Sequence, residues 1–369
     1  MIILHVVEPF AAGIAVFVKS LTETMPEDTH IILHGERKQE IAASEVKKLF
    51  PKKNVRFIRW HSAQRSINPF KDFYAFHELY KIIKRLKKRR LLDAVHLHSS
   101  KSGLLGRAAC RIAGVSNVIY TPNGAPFLSG SNFLINYVYR QMERLGHGLG
   151  GDLICCSASE LEEYRKIGIK GSYINNGIQS KAQRPASTKK GKKVFRIITS
   201  GRIVTQKNPA LFNRIASYFQ QFDQFEFIWV GDGEARSELL SDNIRVTGWL
   251  TTEEVKEEVE DADLYISTSN YEGLSFALLE ALSLHKPVLL NECVGNRNII
   301  KNGLNGGYFN NASEAILKVL HYGNNQDMLP IMGQFSKDIC ANEFDSFQNF
   351  AVYRQRYGRN LPPLLHDVS

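Results

Sequence analysis

The 369-residue chain has no C-x-x-C pair, and its five cysteines (Cys110, Cys155, Cys156, Cys293 and Cys340) are odd in number. That excludes a complete disulfide framework and the usual zinc spacings, and it leaves small thiols that suit a reducing compartment. No stretch reaches the roughly 18 uncharged apolar residues that a membrane-crossing helix needs. The opening MIILHVVEPF is apolar but has no basic start and carries His5 and Glu8, so it reads as a strand and not as an export signal. No low-complexity tract and no repeat of about 20–50 residues is visible. G-x-G-x-x-G is absent too: in VGDGEARSEL (230–239) Arg236 stands at the third glycine position, which argues against a nicotinamide dinucleotide. No D-x-D follows a strand to demand a metal.

What is present is an ordinary globular composition, 43% hydrophobic and 23% charged, on a chain long enough for two domains of about 150–200 residues. The net charge of +10 is uneven: residues 1–185 hold 28 Lys and Arg against 15 Asp and Glu, whereas 186–369 hold 19 against 22. Such asymmetry suggests that the first half faces something anionic. The densest run is KIIKRLKKRR (81–90). It reads as a solvated helix face or, with Leu79, Ile82, Ile83 and Leu86 as an apolar stripe, as a contact with an anionic membrane surface. No aromatic-interleaved groove or helix-turn-helix pattern supports nucleic acid as a partner.

Short β-branched runs alternate with helical patterns, which predicts parallel sheets covered by helices, an α/β fold. Strands are expected at 2–7, 29–34, 55–60, 94–98, 117–121, 152–156 and 171–175, and again at 194–200, 225–230, 243–248, 262–268 and 286–291. Between the two sets lies a polar, basic stretch broken by Pro185 and Gly191, taken as a linker over 181–193. FDSFQNFAVYRQRYG (344–358) reads as an aromatic helix that packs back onto the first domain.

Ligands of parallel sheets bind beyond the carboxyl ends of the strands, so strand exits carry most weight. In STSNYEGLSFALLEAL (267–282), Glu272 and Glu280 are eight positions apart around a helix start near Leu274. If mostly helical, that interval spans roughly 12 Å. Free N–H groups over Gly273 to Ser275 would offer an anion site between the carboxylates, an arrangement suited to a sugar nucleotide. In TSGRIVTQKNP (199–209), Gly201 allows close backbone approach while Arg202 and Lys207 can neutralise phosphate oxygens. Gly231 and Gly233 form a strand-to-helix turn, and INNGI, VTGWL and KNGLNGGYF read as further turns. In the first half, Gly13 precedes an apolar helix, and His98, Ser100 and Lys101 stand at a strand end. Asn123-Gly124 lies in another strand-exit loop. His96 and His98 are taken to face opposite sides of their strand and so not to share a metal. His96 is assigned a structural role, and His98 lies nearest the expected ligand side.

In order, the loop at Gly13, HLHSSKSGLLGR, YTPNG, INNGI, GRIVTQKN, VGDGE, EGLSFALLEAL and NGLNGG resemble the motifs of glycosyltransferase family 4 over nearly the whole chain. The resemblance implies the GT-B fold, two Rossmann-like domains facing across a cleft. Residues 1–180 would bind acceptor, with a C-terminal helix over 345–369 returning to them, and 194–344 would bind the nucleotide sugar. It implies a retaining hexosyltransferase that needs no metal or other cofactor. The donor would be a nucleoside diphosphate sugar, UDP by first choice, and the acceptor a lipid-linked glycan at the cytoplasmic face of the cell membrane. Glu272, Arg202 and Lys207 would be catalytic. Gly13, Gly201, Gly231, Gly273, Leu274, Ser275 and Glu280 would hold the donor, and His98, Ser100, Lys101 and Asn123 would orient acceptor or sugar. One position departs from the family: Asn123 replaces a frequent histidine and cannot serve as a base near neutral pH. Two other readings stay open on the same fold, a nucleotide-sugar epimerase and a non-catalytic sugar-nucleotide or glycan-binding partner.

Overall fold

The computed structural model describes residues 1–36, 43–64, 68–129, 132–179 and 194–358; the expected linker 181–193 and the end of the C-terminal helix, 359–369, lie outside the described residues. The chain divides into two compact units, Met1–Gly177 with Ser346–Ser369, and Ile178–Asp345.

In the first unit the strands are β1 (Ile2–Val7), β2 (Thr29–His34), β3 (Val55–Arg59), β4 (Ala94–His98), β5 (Val118–Thr121), β6 (Asp152–Cys155) and β7 (Ser172–Tyr173). They pair in parallel in the order β3-β2-β1-β4-β5-β6-β7. The inner strands are buried along nearly their whole length, which is why they read as continuous apolar runs and not as alternating ones. The helices are α1 (Ala12–Thr24), α2 (Ala43–Lys48), α3 (Pro69–Lys88), α4 (Ser100–Ala113), α5 (Phe133–Gly148) and α6 (Ala158–Lys166). Right-handed crossovers place α3, α4 and α5 on one sheet face, and α4 packs against both neighbours.

The apolar stripe of α3 has a different task from the one its sequence suggested. Leu79, Ile83 and Leu86 are buried in the core of this unit, with Ile82 packed against it. The stripe therefore anchors the helix to its own sheet, and the basic residues of 81–90 are left exposed.

The second unit contains β8 (Phe195–Ser200), α7 (Pro209–Tyr218), β9 (Phe225–Val230), β10 (Ile244–Val246), α8 (Thr252–Asp261), β11 (Leu264–Ser267), α9 (Phe276–Ser283), β12 (Val288–Asn291), β13 (Gly306–Phe309), α10 (Ala312–Asn324) and α11 (Leu329–Glu343). Its strands are parallel in the order β10-β9-β8-β11-β12-β13, the 3-2-1-4-5-6 arrangement of doubly wound sheets, whose chain reverses direction between β8 and β11. GGYF, read as a turn, forms the edge strand β13 paired with β12. The final helix α12 (Ser346–Gly358) belongs to the first unit and packs on α1, burying Phe350, Tyr353 and Tyr357. No described helix is long and apolar enough to cross a membrane.

Candidate functional site

The switch point between β8 and β11 collects the strongest sequence signals of the second unit. The backbone leaves β8 through Gly201, whose carbonyl accepts a bond from Trp229 Nε1 at 3.0 Å. Gly231 presses so closely on that carbonyl that a Cβ on it would lie 2.2 Å from the oxygen, and its φ is +136°. Only glycine fits there. Ile203 N donates to Asp232 O at 2.9 Å and Ala235 N to Ile203 O at 3.0 Å. The two glycine loops are thus zipped together, with the partly exposed Arg202 carried on the first.

Beyond Arg202 a 3-10 turn (Thr205–Lys207) leads to Asn208, whose left-handed φ of 54° and side-chain bond from Leu211 N cap α7. Asn208 Nδ2 donates to Asn270 Oδ1, Asn270 N to Gln206 O, and Thr268 Oγ1 to Lys207 O, at 3.0, 2.8 and 2.8 Å. The loop after β8 is therefore fastened to the loop after β11, which brings Lys207 Nζ to 2.7 Å from Glu272 Oε1. The same oxygen accepts from Ser269 Oγ at 2.8 Å, and Gln206 Nε2 donates to Oε2 at 3.4 Å. From behind, Glu272 N donates to Val294 O at 2.8 Å. Gly295, at φ +86°, packs so tightly that a Cβ would lie 2.5 Å from that of Glu272. Burial opposes the Lys207 charge, but the Glu272 carboxylate holds its pKa above the usual lysine value.

Glu280 sits on the second turn of α9, and burial raises its carboxyl to about 7. Among the described residues no donor reaches that carboxylate. The helix starts at Phe276 and not near Leu274, so helical rise covers only the second half of the interval between the two glutamates. Gly273 and Leu274 are buried, and Ser275 is the N-cap, with no side-chain bond at that end.

In the first unit Gly13 is exposed in the first turn of α1. Lys101 pairs with Asp72 at 2.6 Å and donates to Gln64 O at 2.9 Å, and Ser100 hydrogen-bonds Glu143. The strand histidines correct the sequence reading. Side chains two apart on a strand share a face, and the rings of His96 and His98 lie 4.1 Å apart, mutually tilted and both fully buried. With His5 they form a group whose ligand nitrogens lie within 4.8 Å of one another. Their lone pairs do not converge, however. Both His5 nitrogens are taken, by His98 Nε2 at 3.1 Å and His30 Nδ1 at 2.9 Å. Both His96 nitrogens meet Tyr357 OH and Thr121 Oγ1, at 2.7 and 2.8 Å.

The chain of rings has a fixed direction. The Met25 carbonyl can only accept, so His30 Nε2, 3.2 Å away, donates to it. His30 Nδ1 then accepts from His5, His5 Nδ1 accepts from His98 Nε2–H, and His98 Nδ1 is left as a buried acceptor without a partner among the described residues. Burial holds His5, His96 and His30 below the ordinary imidazole value and brings His98 down to about 3. These rings are neutral.

Asn123 adopts φ +56°, which asparagine tolerates far better than bulkier residues. Its side chain donates to Thr121 O at 3.1 Å and accepts from Cys156 Sγ at 3.5 Å. Beside it, the buried Glu160 takes N–H bonds from Gly124 and Cys156, each at 2.8 Å, and burial lifts its carboxyl to about 7. Sequence reasoning missed Glu160, Gln206, Ser269 and Gly295. The first is flagged by the S-x-x-E pattern of a capping box, Ser157 to Glu160, although its carboxylate reaches past the helix to the Asn123 loop.

Two doubly wound parallel units, with a cation and a carboxylate fastened at the switch point of the second, define a glycosyltransferase of the GT-B class. A sequence model described as Glycosyltransferase Family 4 matches residues 11–181, and one described as Glycosyl transferases group 1 matches 180–329. The chain belongs to glycosyltransferase family 4. It is 29% identical over 309 residues to an Escherichia coli UDP-Gal:alpha-D-GlcNAc-diphosphoundecaprenol alpha-1,3-galactosyltransferase, covering 76% of this chain and 78% of that one. It is 23% identical over 273 residues to a Campylobacter jejuni N,N'-diacetylbacillosaminyl-diphospho-undecaprenol alpha-1,3-N-acetylgalactosaminyltransferase, covering 68% and 72%. Among solved structures, the Anabaena protein HepE in complex with UDP and glucose superimposes with a TM-score of 0.76 at 15% identity, over 98% of this chain and 100% of that one.

Proposed function

We propose that the chain transfers a hexosyl or N-acetylhexosaminyl group from a UDP-sugar, with retention of configuration, to a hydroxyl of a lipid-linked surface glycan at the inner face of the cell membrane. The observation that carries this reading is the Lys207–Glu272 pair held between the β8 and β11 loops. An ammonium has three N–H donors, so Lys207 can keep one on Glu272 and turn the others to a diphosphate, with Arg202 adding a second cation. Those charges stabilise the negative charge that develops as the bond from the anomeric carbon to the phosphate oxygen breaks. The acceptor oxygen forms the new bond on the same face and its proton passes to the departing diphosphate, so no protein base is required and Asn123 is no obstacle. Glu272 accepts hydrogen bonds from hydroxyls of the transferred sugar, and Glu280, which meets no donor among the described residues, accepts those of the ribose. Gly201, Gly231, Gly273, Leu274 and Ser275 supply close backbone approach to the donor. The names of the two undecaprenol-linked relatives support the acceptor class.

Thermal-shift titration with UDP, GDP and their sugars, each with and without magnesium, tests donor and metal together. UDP is expected to raise the melting temperature equally in both conditions, and a requirement for magnesium would overturn the metal-free reading. Glu272→Ala should reduce transfer by at least about a hundredfold; unchanged turnover removes the central assignment.

A further inference from the structure

The first unit exposes large apolar side chains where a folded chain would ordinarily hide them. On the first turns of α3, Phe70, Phe73 and Tyr74 are exposed, Phe70 at 82%. At the start of α5, Phe133, Leu134, Ile135, Tyr137 and Val138 are each about half exposed or more. None of these side chains serves the core, which α3 reaches through Ala75, Leu79, Ile83 and Leu86. Both groups lie at one edge. Helices that return between parallel strands begin at the carboxyl ends of those strands, and α3 and α5 flank α4 on a single face. The apolar patch therefore borders the edge that carries the Asn123 loop and the start of α4. Further along the same face, all seven Lys and Arg residues of 81–90 are exposed.

We propose that this α3–α4–α5 face lies on an anionic phospholipid bilayer, with the first turns of α3 and α5 entering the boundary between headgroups and acyl chains. Aromatic and aliphatic side chains beside a dense cationic field fit that surface on both counts. Charge selects the occupant: two copies of this chain meeting through the face would bring like charges together. The inference deepens the reading of a lipid-linked acceptor and gives it a geometry, because the acceptor-side loops are then presented along the membrane surface.

Flotation of the full chain with vesicles of phosphatidylglycerol or of phosphatidylcholine alone tests it. The unaltered protein should float with the anionic vesicles, and added salt should weaken this. Both F133S/L134S/Y137S and K84E/K88E should lower the bound fraction roughly tenfold, with the melting temperature and the UDP-induced shift unchanged. F133W should show a blue-shifted emission only with anionic vesicles. Flotation of the triple variant equal to that of the unaltered chain overturns the proposal. So does a concentration-dependent dimer in sedimentation that the triple variant abolishes. Loss of the UDP shift with vesicle binding intact would instead sink the donor assignment and leave this face standing.

Discussion

Lys207 and Glu272 neutralise one another before any ligand arrives, with side chains only 20% and 10% exposed. Removing one partner strands the other, at a cost of about 3 kcal/mol for a well-buried pair. Lys207→Met should therefore lose both transfer and thermal stability, whereas K207M/E272Q should recover much of the melting temperature and none of the activity. Calorimetry beside a transfer assay separates the two effects. Glu280 offers a pH signature. Burial places its carboxyl at about 7, so the ionised acceptor of ribose hydroxyls predominates only above that pH. Donor KM should fall as pH rises through about 7, and Glu280→Gln should flatten that dependence; a pH-independent KM in the unaltered enzyme would contradict the assigned contact.

The loops after strands are the elements on which the site depends, and their legibility in the sequence was uneven. The strands and the residues at their exits were readable because buried parallel strands are continuous apolar runs and their exits carry Gly, Arg, Lys and Glu. β13 escaped because Gly306 and Gly307 make up half of it and look like a turn. The histidine pair on β4 was misplaced by an error in strand alternation. The fastenings were invisible for a different reason. Asn208–Asn270 and Glu160–Gly124 join residues 62 and 36 positions apart, and nothing local marks such partners. They are testable all the same. Gly295→Ala places a side chain at φ +86° against Glu272 and should cost at least about 1–2 kcal/mol, or roughly 2–8 °C in the melting of this unit. Glu160→Gln exchanges one of two accepting oxygens for a donor facing a backbone N–H. It should impair kcat more than donor KM, since the loop it holds lies outside the donor unit; a purely donor-side effect would refute that placement.

Over the whole molecule, four of the buried histidines, His5, His30, His96 and His98, set an acid limit. Their folded pKa values lie below the ordinary 6.5, about 3 for His98, so below pH 6.5 the unfolded chain binds protons that the folded chain refuses. Their contribution to stability is complete above 6.5 and declines as pH falls, by at most about 1.4 kcal/mol per pH unit for each ring. Denaturant melts between pH 7 and 5 should show that slope, and His5→Phe with His98→Leu should make it shallower. α12 covers part of this cluster: Tyr357 OH bonds His96 and its ring meets His5 edge-on, and the Tyr353 ring lies tilted against His96. The chain thus leaves its first unit after Gly177 and returns at Ser346 to close it. During synthesis the ribosome completes the whole second unit before it releases the helix that covers the first. Until then the imidazole cluster has α1 but not α12 against it, and the first unit, though made first, lacks its last helix until the second has been synthesised.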